Sequence, residues 1–136
     1  MRPGMHTRWR RQRGQSLVET ALMIWVIITV VFSVFELGWL MYTYSVLADA
    51  ANEGVRYAIV HSGGDPAGTQ AKVQTFAGAS MHNVNALSTS VTFPDGSSAP
   101  PNRVRVSVTY TYIPSLPQFI TAPTMHSFAE GRMVAQ

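Results

Sequence analysis

The longest pattern in the chain is an apolar run over residues 17–35, in which Glu19 is the only charged residue. As a helix this run would extend about 28 Å, close to the hydrocarbon thickness of a bilayer. No Gly or Pro interrupts it, and Trp39, Tyr42 and Tyr44 follow it where an interfacial aromatic belt would lie. The pattern therefore predicts a membrane-spanning helix.

The same periodicity continues beyond the membrane-length run. Apolar residues recur there at spacings of three and four, in one stripe made of Leu37, Leu40, Met41, Tyr44, Leu47, Ala48, Ala51, Val55 and Ala58. The glycines at 63 and 64, with Pro66 just beyond, predict the end of the helix, which we expect over about residues 16–61.

Three small residues, Ala50, Gly54 and Ala58, recur every four positions in the second half of this helix. Such a ridge allows another helix to approach closely, so we predict that it packs helices together. Packing of the same face on the chain's own C-terminal domain is the alternative, and the two uses can coexist.

The C-terminal part predicts one helix and an antiparallel hairpin. Asp65 and Pro66 have the pattern of an N-cap and a first-turn proline. The apolar face of that second helix would comprise Val73, Phe76, Ala77, Ser80, Met81 and Val84. Residues 87–93 and 104–112 alternate apolar with polar positions and flank a turn-rich loop, as two paired strands do.

The remaining C-terminal residues give a weaker pattern. Residues 114–126 are interrupted by Pro and are expected to be irregular, and residues 127–134 form either a third strand or a short helix. The predicted fold class is α+β, with a long N-terminal transmembrane helix continuing into a small helix-plus-antiparallel-sheet head. Its segments are a basic leader (1–14), the transmembrane and extended helix (15–61) and a small extracytoplasmic α+β domain (62–136).

Positive charge is concentrated before the apolar run. Residues 1–14 hold five Arg and no acid, whereas the rest of the chain carries more acids than bases. The positive-inside rule then predicts a cytoplasmic N-terminus and an extracytoplasmic C-terminal domain. Because the basic pI belongs to this tail, we expect no nucleic-acid partner. A cleaved secretory signal is the alternative, but its apolar core would be only about 7–15 residues long.

The sequence offers no cluster typical of an enzyme. The four His residues (His6, His61, His82 and His126) are scattered, without the spacing of metal ligands. Neither a nucleophile elbow nor a Gly-rich phosphate loop is visible. We therefore expect neither catalysis, nor a cofactor, nor a metal site.

The leader joins the apolar run through Gly14, followed by Gln-Ser-Leu-Val-Glu. This junction resembles the class 3 signal of type IV pilins. Three stretches, at residues 16–24, 35–38 and 50–58, narrow the resemblance to TadE-like proteins, the pseudopilins of the tight-adherence (Flp) pilus system. Trp25 stands where that family often has Pro, and Thr20 where it often has an aromatic residue.

The resemblance implies a cleavage site and a set of partners. A prepilin peptidase would cut between Gly14 and Gln15, leaving Glu19 as the fifth residue of the mature chain. The mature helix would then pack with the major Flp-type pilin and with other pseudopilins.

The position of Glu19 is chemically informative. An ionised carboxylate inside hydrocarbon costs roughly 2.5–3.5 kcal/mol on insertion scales, so it is usually retained for a purpose. A newly released α-amino group on a neighbouring subunit would neutralise it only at the correct axial register. Alternatively, Glu19 snorkels to the headgroups. Glu36 is expected at the outer interface or against a partner helix.

The function expected from these features is that of a pseudopilin (minor pilin), processed by a prepilin peptidase, in Flp/Tad-type pilus biogenesis or secretion. It would reside in the cytoplasmic (inner) membrane as a single-pass protein, and it could also enter the pilus. The alternative is a permanently anchored membrane protein whose extracytoplasmic domain binds a ligand or an envelope component.

Overall fold

The computed structural model describes residues 6–61, 63, 65–81, 83–114 and 121–135, with the helical backbone alone for residues 6–13. Contacts divide the chain into two compact units, with the boundary after Gly38. The fold is α+β, as predicted: a long apolar N-terminal helix, a small second helix and a three-stranded antiparallel sheet.

Helix α1 spans His6–Val60, and its residues as far as Gly38 belong to the first unit. It starts about ten residues earlier than expected, because Gly14 is tolerated within the helix and no Pro interrupts residues 6–60. Its end at Val60 agrees with the stop predicted from Gly63 and Pro66.

The apolar run lies on α1 with all its large side chains uncovered. From Leu17 to Phe35 these side chains are between 46% and 72% exposed. The hydroxyls of Thr20, Thr29 and Ser33 each donate to the carbonyl four residues earlier, at 2.8–2.9 Å. The helix thus satisfies its own hydroxyl groups, as a segment surrounded by hydrocarbon must.

The second unit comprises the remaining part of α1, helix α2 (Pro66–Gly78) and a three-stranded sheet. Strand β1 (Leu87–Thr92) pairs with β2 (Arg103–Thr111), which pairs in turn with β3 (Thr124–Arg132), all antiparallel. The predicted hairpin is confirmed. Of the two alternatives for residues 127–134, the strand is observed, and it already begins at Thr124, within the segment expected to be irregular. Residues 115–120 of that segment lie outside the described residues.

Helix α2 begins as predicted and ends earlier. Asp65 caps it by accepting a hydrogen bond from the Gly68 amide at 3.2 Å. The helix ends at Gly78, so Val84 lies instead in a short 3₁₀ turn (Val84–Ala86). Phe76, assigned to the apolar face from sequence, is 41% exposed, because the buried face of α2 consists of Thr69, Val73 and Ala77.

The core lies between the inner face of the sheet, α2 and one stripe of α1. The predicted stripe is confirmed at Leu47, Ala51, Val55 and Ala58, which are buried. It is wrong at Leu37, Met41 and Tyr44, which are exposed, and it left out a buried polar residue, Thr43. Thr43 is accommodated because its hydroxyl donates to the carbonyl of Trp39 at 2.8 Å. The buried hydrophobic residues of α1 are Val46, Leu47, Ala50, Ala51, Val55 and Ala58.

Candidate processing and assembly site

The residues predicted to carry processing and assembly lie together on α1. Gly14, Gln15 and Glu19 are exposed, and all three are helical. A Cβ atom added at Gly14 would meet no atom within 4 Å, so this position has free space around it. Gly14 and Gln15 are therefore uncovered in the monomer, whereas cleavage between them stays a prediction.

Glu19 shares one face of α1 with apolar side chains. The open surface around it is lined by Gly14, Gln15, Val18, Leu22, Met23, Val26 and Ile27. These positions recur at three and four residues, which places them along one side of a helix. A single carboxylate thus stands at the N-terminal end of an otherwise apolar helical surface.

Glu36 is the second acidic residue of the first unit. Its exposure is only 7%, in contrast to the exposed Glu19. The sequence predicted either a position at the outer membrane interface or a contact with a partner helix for Glu36. It did not predict that Glu36 is buried within the chain itself.

The ridge of small residues makes its close contacts within the second unit. Ala50 and Ala58 are fully buried, and Gly54 is buried between them. A Cβ atom at Gly54 would lie 2.6 Å from Val73 Cγ2 of α2 and 3.1 Å from Val106 Cγ1 of β2. The helix that approaches this ridge is therefore the chain's own α2. A contact of the same ridge with another subunit stays a prediction.

A cavity of about 460 Å³ opens in the second unit, lined by Trp39, Thr43, Ser80, Met81, Asn83, Tyr110, Tyr112 and Ile113. Its lining is aromatic and uncharged. Burial raises the pKa of the Tyr110 phenol above its ordinary value. Within the described ranges, no group of three His, Cys, Asp or Glu side chains is placed to hold a metal ion.

The outer face of the sheet carries charged residues that the sequence analysis did not single out. Arg103 contacts Asp95 at 2.8 Å and Glu130 at 3.5 Å. Arg105 also pairs with Glu130 and stacks over the ring of Phe128, 5.1 Å from its centroid. The signal available in the sequence was the alternation of residues 124–132, but it was too weak to assign these side chains to one sheet face.

Comparison with known proteins gives a match in the first part of the chain. Residues 14–56 match the family model described as TadE-like protein. No curated protein and no solved structure matches the chain. Among the described residues, one helix, within Gly14–Val60, is long and apolar enough to cross a membrane, which fits a single-pass membrane protein. Residues 14–56 are therefore similar to TadE-like proteins, in agreement with the resemblance seen in the sequence motifs.

Proposed function

We propose that the protein is a pseudopilin of a Flp/Tad-type pilus system, cut by a prepilin peptidase between Gly14 and Gln15. The observation that carries this proposal is where the family match begins. It starts at Gly14, leaves out residues 1–13 with their five Arg, and includes Glu19 on the apolar helix. The similarity therefore covers the proposed cleavage junction and the helix that would begin the mature chain.

The environment of Gly14 supports the cleavage step. No atom within 4 Å opposes a side chain at this position, so a larger residue leaves α1 intact. A substitution here would therefore act on recognition by the peptidase rather than on folding. The five Arg of the leader would remain on the cytoplasmic side, where this peptidase acts.

Glu19 is proposed as the assembly contact. Inside hydrocarbon its carboxylate costs roughly 2.5–3.5 kcal/mol when ionised and unpaired. The α-amino group released at Gln15 of a neighbouring subunit would provide an opposite charge at nearly the same depth. Because the pair forms only at one axial offset, it would align subunits as well as attract them. The partners are the prepilin peptidase, the major Flp-type pilin and other pseudopilins.

The proposed location is the cytoplasmic (inner) membrane, with the N-terminus in the cytoplasm and the sheet domain outside. The position of the arginines before a single apolar helix supports this orientation. No catalytic role is proposed.

The N-terminus of the mature protein tests the proposal. The full chain is co-expressed with a prepilin peptidase and its intact mass is measured. We expect a chain that starts at Gln15, and an unprocessed chain for Gly14→Leu. Gly38→Ala serves as the control, because this helical glycine is also free of contacts within 4 Å.

A chain that keeps its arginine tail under these conditions would contradict the proposal. That result would favour the alternative, a permanently anchored membrane protein with an extracytoplasmic binding domain. In that case, exchange of the apolar helix for an unrelated anchor would preserve function.

A further inference from the structure

The outer face of the sheet presents an aromatic ring that remains largely exposed. Phe128 of β3 is 65% exposed, although it lies in the middle of a strand. Its partner on β2 is Ser107, and Ser107 in turn faces Ser90 on β1. These serines are too small to cover the ring. Phe128, Ser107 and Ser90 thus form a row across the three strands, with the ring at one end and two hydroxyls beside it.

The row of Phe128, Ser107 and Ser90 has a charged row of side chains on one side and a polar row on the other. The row formed by Arg105 and Glu130 flanks it on one side, and the row formed by Thr109 and His126 on the other. The Thr109 hydroxyl and His126 Nδ1 are 3.0 Å apart, so they form a hydrogen-bonded pair. The guanidinium of Arg105 covers one approach to Phe128 and is held there by Glu130. The site is therefore organised by side-chain contacts before any ligand arrives.

The charge of the face is not balanced. Two carboxylates, Asp95 and Glu130, form ion pairs with Arg103 and Arg105. Arg132 lies opposite Arg103 in the register, and its side chain makes no ion pair or hydrogen bond within the described part of the chain, although its positive charge helps to lower the pKa of Asp95. The face thus carries three guanidinium groups against two carboxylates, and Arg132, four residues along β3 from Phe128, is the one without a direct ion pair.

We propose that this face binds an acidic polysaccharide, with the apolar face of one sugar ring on Phe128 and a carboxylate of the same chain on Arg132. Ser107 and Ser90 would hydrogen-bond the sugar hydroxyls. Phe128 and Arg132 are about 13 Å apart along the strand, which is longer than one sugar ring, so the ligand is an oligomer. Single-stranded nucleic acid fits less well, because its sites combine several stacking aromatics with a continuous basic groove, whereas this face has one ring and two carboxylates.

Binding is measured by isothermal titration with the full chain in detergent micelles, using a hexameric oligouronate as the probe. A neutral glucan oligomer and oligo-dT are titrated in parallel. We expect saturable binding of the oligouronate only. Phe128→Ala and Arg132→Gln should each weaken it about tenfold, the change that corresponds to about 1.4 kcal/mol.

Two controls match these variants in residue type and exposure. Phe76→Ala removes a partly exposed ring from α2, and Arg56→Gln removes an exposed guanidinium from α1. Both should bind the probe like the unmodified chain. Circular dichroism of each variant verifies that the sheet is retained.

The proposal is overturned if the oligouronate does not bind, or if Phe128→Ala and Arg132→Gln bind it as tightly as their controls. Equal binding of the neutral glucan would refute the role of Arg132, and binding of oligo-dT alone would assign the face to nucleic acid. None of these outcomes depends on whether the leader is removed, so this proposal and the pseudopilin proposal fail independently.

Discussion

Gly54 on α1 lies directly against Val73 on α2: a Cβ atom at Gly54 would come within 2.6 Å of Val73 Cγ2. A second wall is formed by Val106, whose Cγ1 would be 3.1 Å away. Both neighbours are β-branched and fully buried, so neither can rotate freely to make room. The absence of a side chain at this position therefore sets how closely the two helices approach over the sheet.

Gly54→Ala should destabilise the second unit. Overpacking of a filled core typically costs about 1–3 kcal/mol, more than the roughly 1 kcal/mol that Ala gains over Gly in a helix. Gly38→Ala is the matched control, since its Cβ would meet nothing within 4 Å, and we expect it to be neutral or stabilising. Urea unfolding of both variants, followed by near-ultraviolet circular dichroism, measures the difference. Equal stabilities would show that α1 and α2 are not in tight contact.

The contact between Gly54 and Val73 also shows which part of the packing could be predicted from the sequence. The spacing of Ala50, Gly54 and Ala58 identified a face that a helix approaches, and left open whether that helix was the chain's own or another subunit's. Periodicity reports that a face is apolar or small, but not which element covers it. In the structure that element is the chain's own α2, whose Val73 lies against Gly54.

The misassigned residues of the α1 stripe have a related cause. Leu37, Met41 and Tyr44 keep the three-and-four spacing of the buried residues, but they are exposed. In a chain that also meets lipid or partner helices, apolar residues occupy more than one side of a helix. Hydrophobicity alone therefore could not separate the side that covers the sheet, where Thr43 is buried, from the side left free.

The sheet was predictable where alternation was strong. Residues 104–112 alternate almost perfectly, and the observed β2 buries Val104, Val106, Val108 and Tyr110. In β3 the inner face includes three small residues, Ser127, Ala129 and Gly131. At Gly131 the reason is that α1 lies close, since a Cβ there would be 2.7 Å from Val55 Cγ1. Because a small residue replaces a large apolar one where α1 approaches, the apolar–polar alternation that predicts a strand is weak in β3.

Asp65 should contribute to stability through its side chain. It caps α2 at the Gly68 amide and accepts a hydrogen bond from the Tyr57 hydroxyl, both at 3.2 Å. It also has a positive φ of 29°, a conformation that Asn tolerates well and Ala does not. We therefore expect Asp65→Ala to lower the free energy of unfolding by about 0.5–2 kcal/mol.

Asp65→Asn is the control for this prediction, because Asn is as good an N-cap as Asp and suits the same backbone. Thermal unfolding of the two variants provides the comparison. If Ala and Asn at this position were equally stable, neither the cap nor the backbone conformation at residue 65 would matter to the fold.

The stability of the hairpin should depend on acid pH through Asp95. Hydrogen bonds from the side chain and the backbone amide of Arg103 lower the pKa of the Asp95 carboxyl from 3.8 to about 2. A lowered pKa means that the folded state favours the charged form. The resulting stabilisation is present above the ordinary pKa and is lost as the pH falls through about 4 to about 2.

Asp95→Asn should therefore lower stability at pH 7 and flatten its dependence on pH between about 4 and about 2. Asp49→Asn is the control, because this exposed acid on α1 has no ion pair among the described residues. Urea unfolding at a series of pH values provides the measurement. An unchanged slope in Asp95→Asn would assign the acid sensitivity to another carboxylate.

Glu19 provides the test of assembly. It is exposed on α1, among residues of the same helix, so its removal should leave the monomer intact and should not impair membrane insertion. If the carboxylate pairs with the α-amino group of a neighbouring subunit, Glu19→Ala should abolish recovery of the protein with its pilin partners. Replacement of an unpaired charge by Ala would instead favour insertion by roughly 2.5–3.5 kcal/mol, so loss of recovery could not result from failed insertion.

Thr20→Ala is the control for Glu19→Ala. It changes the adjacent exposed residue and removes only a hydrogen bond to the Ser16 carbonyl of the same helix. The membrane fraction and the co-purified pilins are quantified for both variants, together with the mature mass. Normal co-purification of Glu19→Ala would show that subunits align without this charge, whereas its loss with correct cleavage would separate assembly from processing.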